Sequence, residues 1–599
     1  MRSAAYLLLA GLLTVSAAGA PPVLKGTAPK AAPGSPTAVE IGALRAEAAR
    51  TGWGPVARRL RATATDQYAR SAPQAQASYY LYRWADLFAA TQADATAAWA
   101  DRVSRAKAPY PHFDAGPGAQ PLADLWPQEL QTFALTAPGF SAEFFTLLSP
   151  LDQPVMVMGI LAAVWRHDPA AFREYASLAL AIAVVYDVPP PPDWPHGQVG
   201  PEALSRQLPS AVEAFDFFVK ADRGGATLQR LSRLRAADLK FVVDTSTPLP
   251  ELVWAQSKVQ APLAGLARLY DAVRYRRDRV ESGALKWPDP TYRLQDIAGQ
   301  GGICIDQAYF AATVGKAKGV PTLLFRGAGL DGRHAWFGFL DGTGRWQLDC
   351  GRGTEQKLVT GVAFDPQTWG NISDHELAFL AEGFRRLPLF GISIMNEQFA
   401  ELYLQSGDFP AAAKAARVAV NCEPRNLDAW NALLMAHQRL AGDPKQFEAL
   451  LREGARNFQR YPDIEAEFET LISRSLRARG QASEADFVQR STGQKYAVER
   501  GDLSARQAEE ILQQSIANGD AGRSIVTFYR VLTTYGRGAG MDFYDRVVQP
   551  FVERLVAEGR ADEALQAVEH ARRTLRVEPN TQLEANLNDL AERARQAKR

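Results

Sequence analysis

Cys304, His334 and Asp349 follow one another within residues 299–352, GQGGICIDQAYFAATVGKAKGVPTLLFRGAGLDGRHAWFGFLDGTGRWQLDCGR. A thiol attacks a carbonyl as thiolate, so it needs a base beside it, and the base needs a third group to hold its tautomer. These three residue types in this order point to nucleophilic acyl chemistry. Two further cysteines read as packing: Cys350 takes the opposite strand face from Asp349, and Cys422 falls in a helical repeat.

The local elements say how the three side chains meet. Gly301 and Gly302 precede Cys304, and Ile305, Ala308, Tyr309 and Ala312 recur at helical spacing. Cys304 is therefore expected at a helix N-terminus, where free N–H groups and the positive dipole end favour a thiolate and line half of an oxyanion hole. Gly319, Val320 and Pro321 stop that helix, and residues 322–326 read as a buried strand. Residues 334–340 then alternate, with Trp346 and Leu348 continuing the apolar face on a returning strand. Asp341-Gly342 is a two-residue turn signal that sets His334 directly opposite Asp349, Cβ atoms roughly 5 Å apart. A longer loop from Asp341 to Gly344 makes them diagonal neighbours on the same face.

GGxC opening a helix, Gly-Val-Pro leading into a strand, His-Ala-Trp on the next strand and a following aspartate resemble the transglutaminase-like superfamily, relatives of the papain-like cysteine proteases, over about residues 250–352. The resemblance implies Cys304 as nucleophile, His334 as general base and Asp349 as the carboxylate that orients it. Transglutaminases, proteases and deglycosylating amidases share this chemistry, so mechanism is better defined than substrate. A glutamine completes the oxyanion hole in papain-like enzymes, which makes Gln300 and Gln295 the candidates here, while the tryptophan used by crosslinking members leaves Trp254 and Trp287.

Composition excludes several classes. The 599 residues are 47% hydrophobic and 22% charged, and 67 basic against 66 acidic residues leave a net charge of +1. Nothing in that balance favours a nucleic-acid partner. No metal-ligand spacing and no phosphate-binding glycine motif is present, so no cofactor is expected. Arg2, the apolar run 4–15 and Ala18-Gly19-Ala20 form a signal peptide over residues 1–20. The expected location is therefore exported, periplasmic or extracellular, with no stable membrane span after its removal. Three cysteines do not make a disulfide scaffold, and free thiols are expected.

The chain is too long for one core. Residues 21–37 read as a Pro/Ala-rich linker. Residues 38–247 read as a helical domain with helices over 41–61, 78–105, 140–148, 155–166 and 170–186. Its proline-rich segment 188–201, with Trp194 and His196, reads as a rigid surface loop. Residues 248–385 hold the catalytic unit, opened by a long helix over 252–279, and His375 reads as a capped helix start rather than a rival base. From 390 to 599, Gly407-Asp408, Ala412, Ala416, Ala419 and Pro424, then Trp430, Leu433, Gly442-Asp443 and Ala449, resemble tetratricopeptide-like repeats, with a degenerate echo over 555–580.

The fold class expected is multidomain and mostly α, with an α+β transglutaminase-like (papain-like) core between a helical N-terminal domain and a C-terminal helical-repeat region. The function expected is an exported cysteine-dependent acyl-transfer enzyme acting on amide bonds of proteins or peptides through a thioester, by hydrolysis or transamidation. The other reading is a non-catalytic binding or assembly protein. A protein or peptide substrate is the expected partner, with a further protein partner for the repeats.

Overall fold

In the computed structural model, the described residues are 36–598 apart from 107–117, 192–193, 205–207, 246, 353–359, 441, 497–499, 518–520 and 537. The signal peptide and nearly all of the linker expected over 1–37 lie outside them. The chain is mostly helical and builds its cores in sequence order. The first core is built mainly from Ile41 to Val243, with Trp369, Phe399 and Leu402 joining it from later in the chain; the second is a small α+β unit, and two helical cores follow, one from Phe379 to Val488 and one from Ala505 to Ala594. Among the described residues no helix is long and apolar enough to cross a membrane. The apolar run before Asp187 becomes the helix Ala176–Val185, buried on every side within the first core.

Several expected helices are divided, each for a local reason. The run 41–61 becomes Ala38–Thr51 and Trp53–Ala69, separated by Gly52 at φ +79°, a backbone state that glycine adopts without strain. The run 78–105 breaks between Ala75–Ala89 and Gln92–Ala106, where Thr91 forms a β-bridge with Pro121. The long helix expected over 252–279 is not formed. Pro262 ends the continuity after Leu249–Lys258, a short helical turn covers Leu263–Leu269, and the chain then extends so that Tyr275 bridges Gly302.

The proline-rich segment is a surface loop only in part. Val199 and Ala203 join the second core, and Gln198 and Ala203 carbonyls accept from the N–H groups of Trp287 and Tyr292. His196 is only 2% exposed. Val188, Pro195, His196 and Val199 are its buried points, lying between the helical domain and the α+β unit, while Pro189, Gly197 and Pro201 are exposed.

That unit holds one antiparallel sheet in the order β3-β2-β1-β4, with β1 Thr322–Ala328, β2 Arg333–Leu340, β3 Trp346–Cys350 and β4 Thr360–Ala363. The helix Cys304–Ala317 packs on it, buried along its length after Cys304. At its far end Lys316 Nζ reaches Asp244 Oδ1 at 2.5 Å and the carbonyls of Phe241 and Thr322, so the buried ammonium is fully partnered and ties the helix to the N-terminal domain.

The register of β2 and β3 differs from the expected one. Asp341-Gly342 does not close the hairpin alone: Asp341 N–H donates to the Arg345 carbonyl, and Gly344, at φ +79°, completes a loop of Gly342, Thr343 and Gly344. The Asp341 carboxylate stabilises this longer loop by accepting from the N–H groups of Thr343 and Arg345. Leu340 therefore pairs with Trp346, and an irregularity between Phe337 and Phe339 sets Phe337 against Cys350. The ladder ends there, and His334 is not opposite Asp349.

Candidate active site

The early end of β3 creates the site. Beyond Phe337 the outer edge of β2 has no strand partner, and the main-chain groups of Ala335 find other partners. Its N–H lies against the Cys304 thiol, and its carbonyl accepts from the Tyr270 hydroxyl at 2.9 Å. His334 is the next residue along the strand. Its imidazole meets the Tyr270 ring edge-on at 6.4 Å and stacks on Trp336 at 5.9 Å. The structure thus brings Cys304 and His334 to the same strand edge through Ala335 and Tyr270.

Cys304 is the first residue of its helix, as the spacing predicts, and close approach explains the two glycines before it. A Cβ on Gly301 would stand 2.4 Å from the Arg274 carbonyl oxygen, and one on Gly302 2.3 Å from Asp306 Cβ. Gly302 N–H donates to the Arg274 carbonyl and Arg276 N–H to the Gly302 carbonyl, so the extended segment 274–276 fixes the approach to the helix. Behind it Asp306 Oδ2 accepts from Ile303 N–H at 2.8 Å and from Arg279 at 2.9 Å, while Oδ1 accepts from the Tyr292 hydroxyl. Tyr292 continues to His196 Nε2 at 2.9 Å. Burial drives the His196 pKa down to about 3, so this imidazole is neutral.

The electrostatics of the pair differ from the sequence expectation of a preformed thiolate. Burial pushes the Cys304 thiol above its usual range, and this outweighs the N–H groups of Ala335, Ile305 and Cys304 itself, which favour the thiolate. The nearby Asp306 charge adds to the rise. His334 is held below its usual value by burial and by the Arg352 charge, against the opposing pull of its bond to Gly351. At neutral pH Cys304 rests as a thiol and His334 as a neutral imidazole.

The imidazole tautomer follows from its partner. His334 Nε2 lies 2.8 Å from the Gly351 carbonyl oxygen, which only accepts. Nε2 therefore carries the hydrogen, and Nδ1 holds the lone pair of a base. A Cβ on Gly351 would stand 2.4 Å from the Tyr270 ring, so glycine is needed where this carbonyl turns to the imidazole.

Asp349 is placed elsewhere. Its side chain is 69% exposed, and its carboxylate accepts from Arg352 at 2.8 Å. The Arg352 guanidinium lies over the Trp336 ring at 5.1 Å. The orienting contact expected from Asp349 is made by the Gly351 carbonyl, a consequence of the shifted hairpin register. Gln300 and Gln295 sit half-buried on the helix Leu294–Gln300, and among the described residues neither side-chain amide has a hydrogen-bond partner. Trp287 is committed elsewhere, its ring N–H donating to the Thr291 carbonyl.

His375 is tied by Nδ1 to Asp463 at 2.7 Å, at the start of the capped helix Asp374–Glu382. All three cysteines are free thiols, and burial raises Cys350 to about 11. Among the described residues no cluster has a metal-binding arrangement. A cavity of about 20 Å³ beside Trp194, Tyr309 and Lys316 lies along the later turns of the Cys304 helix, away from the thiol, and has room for about one water.

Tyr270, Gly351, Arg352 and the His196–Tyr292–Asp306–Arg279 chain escape sequence reasoning. The RYRRDRV run before the GGxC motif was a visible hint of charge near the site, but nothing in its periodicity indicates that Arg279 turns inward. No protein-family model matches the sequence, and no curated protein matches it.

Proposed function

We propose that this chain is an exported cysteine-dependent acyl-transfer enzyme with a transglutaminase-like catalytic unit, acting on amide bonds of proteins or peptides. The observation that carries the reading is the Cys304 thiol at a helix start against the Ala335 N–H, with His334 the adjoining residue of that strand edge and its Nε2–H tied to Gly351, leaving Nδ1 as a base. As Cys304 Sγ bonds to the amide carbon, His334 Nδ1 takes the thiol proton. The carbonyl π pair moves to oxygen, and the backbone N–H groups at the helix start, with Gln300 or Gln295, offer donors to that oxyanion. Collapse breaks the C–N bond, His334 returns the proton to the departing amine, and a thioester remains. Water or a second amine then attacks the thioester carbon and releases the thiol. Because the resting pair is neutral, proton transfer accompanies attack.

Intact-mass analysis after incubation with glutamine-containing peptides and a primary amine tests this reading. An acyl adduct mapped to Cys304, absent in Cys304→Ala and slow to form in His334→Ala, is expected. A folded protein that forms no adduct with peptide amides or with an activated ester would overturn it. The exposed position of Asp349 favours the second reading, a non-catalytic binding or assembly protein on the same scaffold, and that negative result would support it.

A further inference from the structure

The loop between β1 and β2, residues 329–332, with Arg333 at the start of β2, leads directly into His334, and the last helical core of the chain holds it. Met541 N–H donates to the Gly329 carbonyl and Leu583 N–H to the Asp331 carbonyl, each at 3.0 Å. Gln582 Oε1 accepts from Arg333 N–H at 2.9 Å. The Arg333 guanidinium pairs with Asp545 at 2.6 Å, and Ala328 packs against the apolar core of that unit. The fit is close: a Cβ on Gly540 would stand 2.4 Å from both Leu330 Cα and the Leu330 carbonyl oxygen. Main-chain groups on both sides are used, so the contact fixes backbone position rather than side-chain charge alone.

We propose that the C-terminal helical unit, residues 501–598, is a positioning element of the active site, gripping residues 329–333 and so fixing where the His334 imidazole stands relative to Cys304. The Ala335 N–H that reaches the thiol and the His334 Nε2 that reaches Gly351 both lie within two residues of Arg333, so a slip of the loop disturbs both contacts. Gln582, Gly540 and Asp545 act through the loop. The catalytic consequence rests on the acyl-transfer reading, whereas the grip itself does not.

The test uses the full chain carrying Gln582→Ala, Gln582→Glu, Gly540→Ala or Gly559→Ala. The glutamate variant keeps an acceptor for Arg333 N–H. Gly559 is a strain control: it also has a positive φ, +74°, but an added Cβ there meets nothing within 4 Å. Hydrogen exchange over 329–337 and the pH profile of Cys304 alkylation by iodoacetamide are read beside far-ultraviolet circular dichroism. Faster exchange over 329–337 is expected in folded Gln582→Ala and Gly540→Ala, with alkylation profiles that converge on that of His334→Ala. Acyl transfer should fall on the order of 10²-fold, the scale of a ~1 Å misplacement. Gln582→Glu and Gly559→Ala should keep the wild-type profiles.

Wild-type exchange and alkylation in folded Gln582→Ala would overturn the proposal even if Gly540→Ala fails to fold. Changed exchange and alkylation in a protein without acyl-transfer activity would uphold the grip and reject only the enzymatic reading.

Discussion

The reactive pair is governed by competition between burial and backbone amides. Desolvation of a fully buried group shifts a pKa by up to 3–5 units, so a few N–H contacts do not cancel it. The Cys304 thiol, raised by burial first, is expected to alkylate at a rate that climbs through pH 9, beyond the ordinary thiol value of about 8.5. A rate plateau between pH 6 and 8 in iodoacetamide labelling would mean a stable thiolate–imidazolium pair instead. The position of Asp349 gives a second expectation at this scale. Because the Gly351 carbonyl already fixes the His334 tautomer, Asp349→Asn should slow turnover by less than about tenfold, not the ~10⁴-fold known where an aspartate holds the imidazole directly. A loss of that larger size in steady-state kinetics would show that the carboxylate leaves Arg352 and turns to His334 during the reaction.

At the level of elements, the Cys304 helix depends on a buried ion pair behind it. Arg279 and Asp306 side chains are 6% and 2% exposed, and the guanidinium also donates to the carbonyls of Ala284, Leu285 and Lys286. Arg279→Ala leaves a buried carboxylate without its cation and should lower stability by about 3–5 kcal/mol. Urea unfolding checks this, and a change below about 1 kcal/mol would mean that Tyr292 and Ile303 suffice to hold Asp306. The helix start, β1 and the β2–β3 hairpin were legible in the sequence, because apolar spacing and Gly-Pro punctuation are local signals. The register was not. Asp341-Gly342 reads as a tight turn, but the Asp341 carboxylate and Gly344 favour a longer one. The partners of His334 were illegible for a related reason. Gly351 acts through its carbonyl, which no residue type announces, and Tyr270 arrives from a segment whose helical pattern Pro262 breaks.

Across the whole molecule, charge is buried at the seams between units. Asp152 and Asp187 are each 1% exposed. Asp152 accepts from Gln367 Nε2 at 2.8 Å, joining the N-terminal helices to the segment after β4, and Asp187 accepts from Gln153 N–H beside it within the N-terminal domain. Desolvation first, together with mutual repulsion, raises Asp152, and desolvation raises Asp187 to about 8. The unfolded carboxyl titrates near 3.9. Between about pH 4 and 8 folded Asp187 therefore keeps a proton that the unfolded chain has lost, and its contribution makes stability fall as pH rises, by up to about 1.4 kcal/mol per unit. Asp187→Asn should flatten that slope, so its melting temperature gains on wild type at pH 8 relative to pH 5. Parallel melting curves for the two proteins across this range would sink the assignment.

The grip of Met541, Gln582 and Leu583 on the loop before His334 has a consequence for biosynthesis. A chain made from its N-terminus presents Cys304 and His334 well before these partners exist. Before the last helices are made, the thiol and the imidazole are present without the contacts that hold residues 329–333. On the proposed acyl-transfer reading, an unfinished or clipped chain would carry both reactive groups yet react on the order of 10²-fold more slowly than the finished one.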